Sequence, residues 1–280
     1  MDILIYIMNN SHDFSVAVIG VGNMGSALVR GMILRGKFSK EQIIICDLDE
    51  KKVEDLVVDL GVKYVRSAIE AVEKSEFIIL AAKPQAFPTL LNDISNFLDT
   101  NQTIMSIAAG VTTASIEEKI GKQIPVVRVM PNLPALIGKG ISVYCRGSFT
   151  SDKDANRSKA VLMSVGKIIE ASETLLDPVT ALSGTGPAYI FHTMEAMIQS
   201  GIDMGIDKEI AIDLVMQTVL GSAQLAIKSE RNITSLREDV TSKGGTTEAA
   251  ISYLSKRQYS EIVINAILEA EKRSKELGES

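Results

Sequence analysis

Near the end of the 280-residue chain, Thr241-Ser242-Lys243-Gly244-Gly245-Thr246-Thr247 gathers four hydroxyl side chains around two adjacent glycines. Glycine costs about 1 kcal/mol relative to Ala inside a helix, so the pair reads as a break. It falls where the stretch beginning at Leu236 joins two segments that read as helix. A Gly-Gly pair lets the backbone approach a ligand, and successive N–H groups entering a helix form a small nest for an anion. The same residues also suit a plain capping turn, with Ser or Thr as the cap and Glu248 in support.

A second cluster lies at the other end of the chain. Phe14-Ser15-Val16-Ala17-Val18-Ile19 has strand character and leads into Gly20-Val21-Gly22-Asn23-Met24-Gly25, then into a helical pattern through about Arg35. A GxGxxG that follows a strand and opens a helix permits a tight turn and close approach to a pyrophosphate at the helix N-terminus. The alternative is a tight turn with no ligand. Asp47 ends the apolar run Ile43-Ile44-Ile45-Cys46, 22 residues past Gly25. A carboxylate there accepts hydrogen bonds from a ribose 2′-OH and repels a 2′-phosphate, which favours NADH over NADPH.

These residues need a scaffold, and the hydrophobic pattern supplies one. Helices are expected over 50–60 and 68–74, with strands over 62–65 and 77–80. The 77–80 strand ends in Ala81-Ala82-Lys83-Pro84. A strand over 103–107 ends in Ala108-Ala109-Gly110. Small residues at a strand's carboxyl end leave room for a ligand. Val126-Val127-Arg128-Val129-Met130 runs into Pro131-Asn132-Leu133-Pro134, where Asn132 is either a ligand or a turn former. Strands over 140–145 and 167–169, with a helix between, complete the sheet. From about Asp177 the pattern becomes helical, with helices over 207–229, 247–255 and 258–276 and no strand signal. The expected fold class is α/β. An N-terminal Rossmann-like dinucleotide-binding domain over 14–172 precedes an all-α C-terminal domain over 173–280. Residues 1–13 form an N-terminal extension without the basic start or cleavage pattern of a signal peptide.

Composition narrows the class. A hydrophobic content of 46% and a mean hydropathy of +0.17 describe a globular chain with a large core. A net charge of −6, with no basic run, argues against a nucleic-acid surface. Two cysteines and two histidines give no disulfide framework and no metal site. His192, in an apolar helical segment, is expected to be a satisfied core histidine. Helices this apolar need a partner, so oligomerisation is expected. The expected location is cytoplasmic, with a small-molecule substrate and no membrane.

The motifs together resemble the pyrroline-5-carboxylate reductases from about Ser15 to Leu277. The match rests on the glycine turn, Ala81-Ala82-Lys83-Pro84, the 106–111 and 128–134 segments, the 180–189 block and the 236–247 loop. The resemblance implies NAD(P)H-dependent reduction of 1-pyrroline-5-carboxylate to L-proline, the last step of proline biosynthesis, and an all-α C-terminal dimerisation domain that joins subunits into a homodimer or an assembly of dimers. It places the cofactor, NADPH or NADH, along Ile19, Gly20, Val21, Gly22, Asn23, Met24 and Gly25. Asp47 would lie nearby, with Ala81, Ala82, Lys83, Pro84, Ile107, Ala108, Ala109 and Asn132 completing that set. It places the substrate carboxylate on Ser242, Gly244, Gly245, Thr246 and Thr247. Thr247 is the catalytic candidate, its hydroxyl near the ring nitrogen. Glu173, Glu230 and Asp239 would line or approach the substrate pocket. The proton would pass from Thr247, from water or from an acid such as Glu230.

The sequence departs from the family pattern in places. Asp47 replaces a small hydroxyl residue, Ala68 a cofactor-contacting Asn, Lys243 a proline and Asp239 an asparagine. Lys243 would aid binding of a carboxylate substrate and Asp239 would oppose it unless paired; the alternative is a solvated Lys243–Asp239 pair. A β-hydroxyacid dehydrogenase would need a lysine early in the second domain, and none follows Gly186 before Lys208. A reductase of another small cyclic imine, or a non-catalytic dinucleotide-sensing protein, remains an alternative.

Overall fold

The inner strands of the first half are short and largely apolar, because they are buried on both faces. In the computed structural model, which describes residues 13–36 and 38–279, β1 (Val16–Ile19), β2 (Ile43–Cys46), β4 (Phe77–Leu80) and β5 (Thr103–Ser106) are buried at every position. They join β3 (Lys63–Tyr64), β6 (Val126–Met130), β7 (Gly140–Arg146) and β8 (Gly166–Glu170) in one sheet. The order is β3-β2-β1-β4-β5-β6-β7-β8. All neighbours are parallel except β6 and β7.

Side chains alternate between the two faces of a strand, so each face builds its own core. Val16, Val18, Ile43, Ile45, Phe77 and Ile79 pack with α1 (Asn23–Leu34), α2 (Glu50–Leu60) and α6 (Asp152–Met163). Ala17, Ile19, Ile44, Ile78, Leu80 and Ile104 pack with α3 (Ala68–Glu73), α4 (Phe87–Ser95) and α5 (Thr113–Ile120). The chain leaves β1 for β2 on one side and returns to β4 on the other. Open α/β sheets bind ligands at such a reversal, outside the carboxyl ends of the strands.

A short helix α7 (Leu176–Val179) and a π-helical turn (Thr180–Gly184) close this part. Helices α8 (Gly186–Asp203), α9 (Lys208–Lys228), α10 (Ile233–Asp239), α11 (Thr246–Lys256) and α12 (Tyr259–Glu279) follow. Two compact units result, one of residues up to 185 together with 270–280, the other of 186–269. In the second unit Gly201 of α8 lets Ala211 of α9 approach closely, an added Cβ meeting its methyl at 3.1 Å. Ile190, Leu214, Leu220, Leu225 and Ile262 are all more than half exposed in the single chain.

The α/β class and the helical second half follow the sequence reading. Three details do not. β7 is antiparallel to β6, a direction that apolar patterning does not encode. Leu236 to Asp239 belongs to α10 and not to a loop, because Asn232 caps that helix through Ser235 N–H at 2.8 Å. His192 is not a core residue: its side chain is 88% exposed beside Glu195, on a helix whose Ile190 and Phe191 are themselves about half exposed. Of the N-terminal extension only Asp13 lies within the described residues.

Candidate functional site

The glycine turn sits at the reversal point, and its three glycines serve different ends. Gly20 adopts φ +97°, and a Cβ there would lie 2.7 Å from the backbone of Ala81. A Cβ at Gly25 would lie 2.0 Å from the Gly20 carbonyl oxygen. Packing alone excludes a side chain at both. Gly22 has φ −65° and nothing within 4 Å of an added Cβ. Nothing in the fold itself demands glycine at that position. The open space lies at the start of α1, where no side chain caps the helix. Uncapped N–H groups beside an open glycine fit an anionic diphosphate.

Asp47 braces this turn. Its carboxylate accepts the Val21 N–H at 2.6 Å and the Asp49 N–H at 2.9 Å, while the Gly20 N–H donates to the Cys46 carbonyl at 2.8 Å. Beside it, between α2 and the ends of β2 and β3, is a cavity of about 390 Å³. Val53, Val57 and Tyr64 give it apolar lining, and Asp47 and Arg66 stand among its polar residues. Ala81 continues from β4 with its N–H on the Ile19 carbonyl, and Ile107 continues from β5 with its N–H on the Leu80 carbonyl. The small residues Ala81, Ala82, Ala108 and Ala109 thus edge the same end of the sheet as the glycine turn. Pro84 opens a tight turn over Pro84–Ala86, with Lys83 exposed before it. Asn132 serves the fold, since its side-chain oxygen accepts the Ile141 N–H at 2.9 Å and ties the end of β6 to β7.

Sequence reasoning missed a buried ionic cluster under the β5–α5 loop. Arg128, 3% exposed, pairs with Glu173 and Asp177, each at 3.3 Å. Glu173 also accepts the Thr113 N–H at 2.8 Å and the Thr113 hydroxyl at 2.6 Å. Asp177 accepts the Ser274 hydroxyl at 2.9 Å. One signal was available, a single arginine inside the apolar run 126–130. Burial, with Glu173 nearby adding to it, pushes the Cys145 thiol up to about 12, and burial also raises Cys46. Neither cysteine supplies a thiolate near neutral pH.

In the second unit, Thr241 ends α10 with its hydroxyl on the Arg237 carbonyl. Gly244, at φ +74°, donates its N–H to Glu248 at 2.7 Å. Gly245 precedes α11 with no side-chain cap. The N–H groups of Thr246 and Thr247 therefore open an uncapped helix. Glu248 supports the loop from within, and no Ser or Thr takes the cap. Asp239 pairs with Arg231, with two hydrogen bonds, and not with Lys243. Both partners lie on the α10 side of the loop, and among the described residues Lys243 forms no ion pair. Glu230 is exposed.

Comparison with known proteins finds relatives over both halves of the chain. Residues 173–277 match the family model described as pyrroline-5-carboxylate reductase dimerisation. Residues 15–110 match one described as NADP oxidoreductase, coenzyme F420-dependent. A pyrroline-5-carboxylate reductase of Arabidopsis thaliana is 35% identical, covering 96% of this chain and 98% of that protein. One of Methanosarcina acetivorans is 36% identical over 94% and 97%. The crystal structure of the Plasmodium falciparum enzyme with NADP bound aligns with a TM-score of 0.89 at 30% identity, covering 96% of this chain and all of that one.

Proposed function

The chain belongs to the pyrroline-5-carboxylate reductase family, and from that premise we propose how its residues divide the work of reducing 1-pyrroline-5-carboxylate to L-proline with a nicotinamide dinucleotide. The observation that carries the reading is a match along nearly the whole chain, 35% identical over 96% of it.

When bound, the reduced nicotinamide supplies the hydride for the C=N carbon. The protein's part is to position two rings and to manage charge. Gly22 and the uncapped start of α1 hold the diphosphate. Asp47 meets the adenosine ribose, with the adjacent cavity taking the adenine. Ala81, Ala82, Ile107, Ala108 and Ala109 face the nicotinamide half. The open N–H groups at the start of α11, with Gly244, Gly245 and Lys243, bind the substrate carboxylate. Thr247 hydrogen-bonds the imine nitrogen and orients the ring. Glu230 is the acid available to supply the proton, while Asp239, neutralised by Arg231, shapes the loop without opposing an anion.

The same proposal includes a domain boundary near 173, where the matched dimerisation segment begins. It includes a homodimer that covers the exposed apolar helix faces of the second unit. Among the described residues α9 alone is long and apolar enough to cross a membrane, and a partner subunit is the cover proposed for it. A cytoplasmic location accords with the two free cysteines. NADH is the preferred reductant, because Asp47 repels a 2′-phosphate.

Initial-rate oxidation of NADH and NADPH, each with pyrroline-5-carboxylate under matched conditions, tests the reading. Turnover that prefers NADH supports both the reaction and the role of Asp47. A preference for NADPH keeps the reaction and refutes the Asp47 argument. Dinucleotide binding without turnover refutes the substrate assignment.

A further inference from the structure

Glycine is out of place in the last turn of a helix built from good helix formers, yet α12 carries Gly278 there. Its neighbour explains it. A Cβ at Gly278 would lie 2.7 Å from the Gly110 carbonyl oxygen, and a Cβ at Gly110 would lie 3.0 Å from the Gly278 nitrogen. Gly110 itself sits at φ +77°. Two backbones touch here with no room for a methyl group on either side.

Gly110 lies in the loop between β5 and α5, and this loop is secured along its length. At its start the Ala108 N–H donates to the Ser106 hydroxyl at 3.3 Å. At its end Thr113 gives both its N–H and its hydroxyl to Glu173. Glu173 is held by the buried Arg128, which also holds Asp177, and Asp177 accepts the hydroxyl of Ser274 on α12. Ser274 is 4% exposed and stands four residues before Gly278, so both lie on one face of the helix. The tail of α12 therefore meets the loop in two ways, directly through glycine and indirectly through the ionic chain.

We propose that the last turn of α12 is a positioning element for the nicotinamide-side wall of the cofactor site, acting through the Gly110–Gly278 contact and the Thr113–Glu173–Arg128–Asp177–Ser274 chain. This rests on the reading that Ile107, Ala108 and Ala109 face the nicotinamide. It also gives Glu173 a role that does not require contact with substrate.

Gly278→Ala separates this role from a merely structural one. Alanine is the better helix former, which offsets part of the strain of its methyl against the Gly110 carbonyl, so the melting temperature should fall only slightly. The added methyl must displace the Gly110 carbonyl by several tenths of an ångström. Misplacement of a reacting group by about 1 Å can cost about a hundredfold, so kcat should fall by about tenfold. Affinity for ADP-ribose, which lacks the nicotinamide, should stay unchanged. Ser274→Ala should lower kcat in the same direction, and the double variant should lose less than the product of the single losses. Wild-type kcat in Gly278→Ala overturns the proposal, as does a parallel loss of ADP-ribose affinity and thermal stability. If the wild-type protein does not turn over pyrroline-5-carboxylate, the functional reading fails by itself. The ratio of NADH to ADP-ribose dissociation constants then decides: a rise in Gly278→Ala supports the positioning role, and an unchanged ratio overturns it.

Discussion

Asp47→Asn is the substitution that most directly probes cofactor choice. The carboxylate is half-buried at the end of β2 and accepts two backbone N–H groups, one of them from Val21 in the glycine turn at 2.6 Å. It is thus fixed against the turn and cannot swing away from an incoming phosphate. Two unit charges 4 Å apart interact by about 1 kcal/mol in water and about 4 kcal/mol at an effective dielectric of 20. At this partly exposed site a 2′-phosphate is opposed by about 2 kcal/mol, or about thirtyfold in relative kcat/KM. Asparagine removes the charge and keeps one acceptor, but its NH2 group then faces a backbone N–H. Losing a charge-assisted bond costs about 1.5–3 kcal/mol of stability, so melting should be followed alongside kinetics. The assay is kcat/KM for NADH and for NADPH with a fixed pyrroline-5-carboxylate concentration. The ratio of NADPH to NADH efficiency should rise by about thirtyfold, through a gain with NADPH and a smaller loss with NADH. A ratio that moves less than about threefold, in a variant shown to be folded, would refute the electrostatic reasoning.

Gly22→Ala should leave stability within about 0.5 kcal/mol, since the position has permitted φ and open space, while dinucleotide affinity measured by fluorescence titration drops; unchanged affinity would remove the diphosphate from this turn. Thr247→Ala should reduce kcat by about a hundredfold, because its hydroxyl orients the ring for the hydride, with the NADH dissociation constant unaltered; equal loss of both would count against its role. Asp154 carries the acid-stability prediction. Burial pushes its pKa up, but hydrogen bonds from Ser151 at 2.5 Å and Thr103 at 2.6 Å outweigh burial and lower it. A depressed folded pKa stabilises above the unfolded value of about 3.9 and is lost as pH falls through the folded value. Asp154→Asn should therefore cost about 1–3 kcal/mol at neutral pH, with a difference from wild type that shrinks below about pH 4 in denaturant titrations; a difference constant with pH would contradict this.

How much of this was legible in the sequence depended on how local each cause is. The glycine turn and the apolar strands announce themselves within a few residues, and Asp47 stands at a fixed spacing from the turn. The different roles of Gly20, Gly22 and Gly25 were not legible, because one residue type answers to packing at two positions and to open space at the third. Asp239 was read against Lys243, its neighbour in the loop. The short helix α10 instead brings it to Arg231, eight residues back. Helices α4 and α5 are short, and α4 begins with a proline in its first turn, so neither gives a long periodic signal.

The Arg128 cluster marks the boundary of what a chain read in order can reveal. Glu173, Asp177 and Ser274 lie far along the chain from it, and no spacing rule connects them. Physics still leaves a trace. A buried guanidinium without a partner is expensive, and removing one partner of a buried pair typically costs about 3–5 kcal/mol. An arginine inside a buried strand therefore requires carboxylates from elsewhere in the chain. Here they come from the segment just after β8, where the matched dimerisation segment begins. One hydroxyl of α12 is drawn into the same cluster. Arg128, the one polar residue of its strand, thus links the β5–α5 loop to the last helix through Glu173, Asp177 and Ser274.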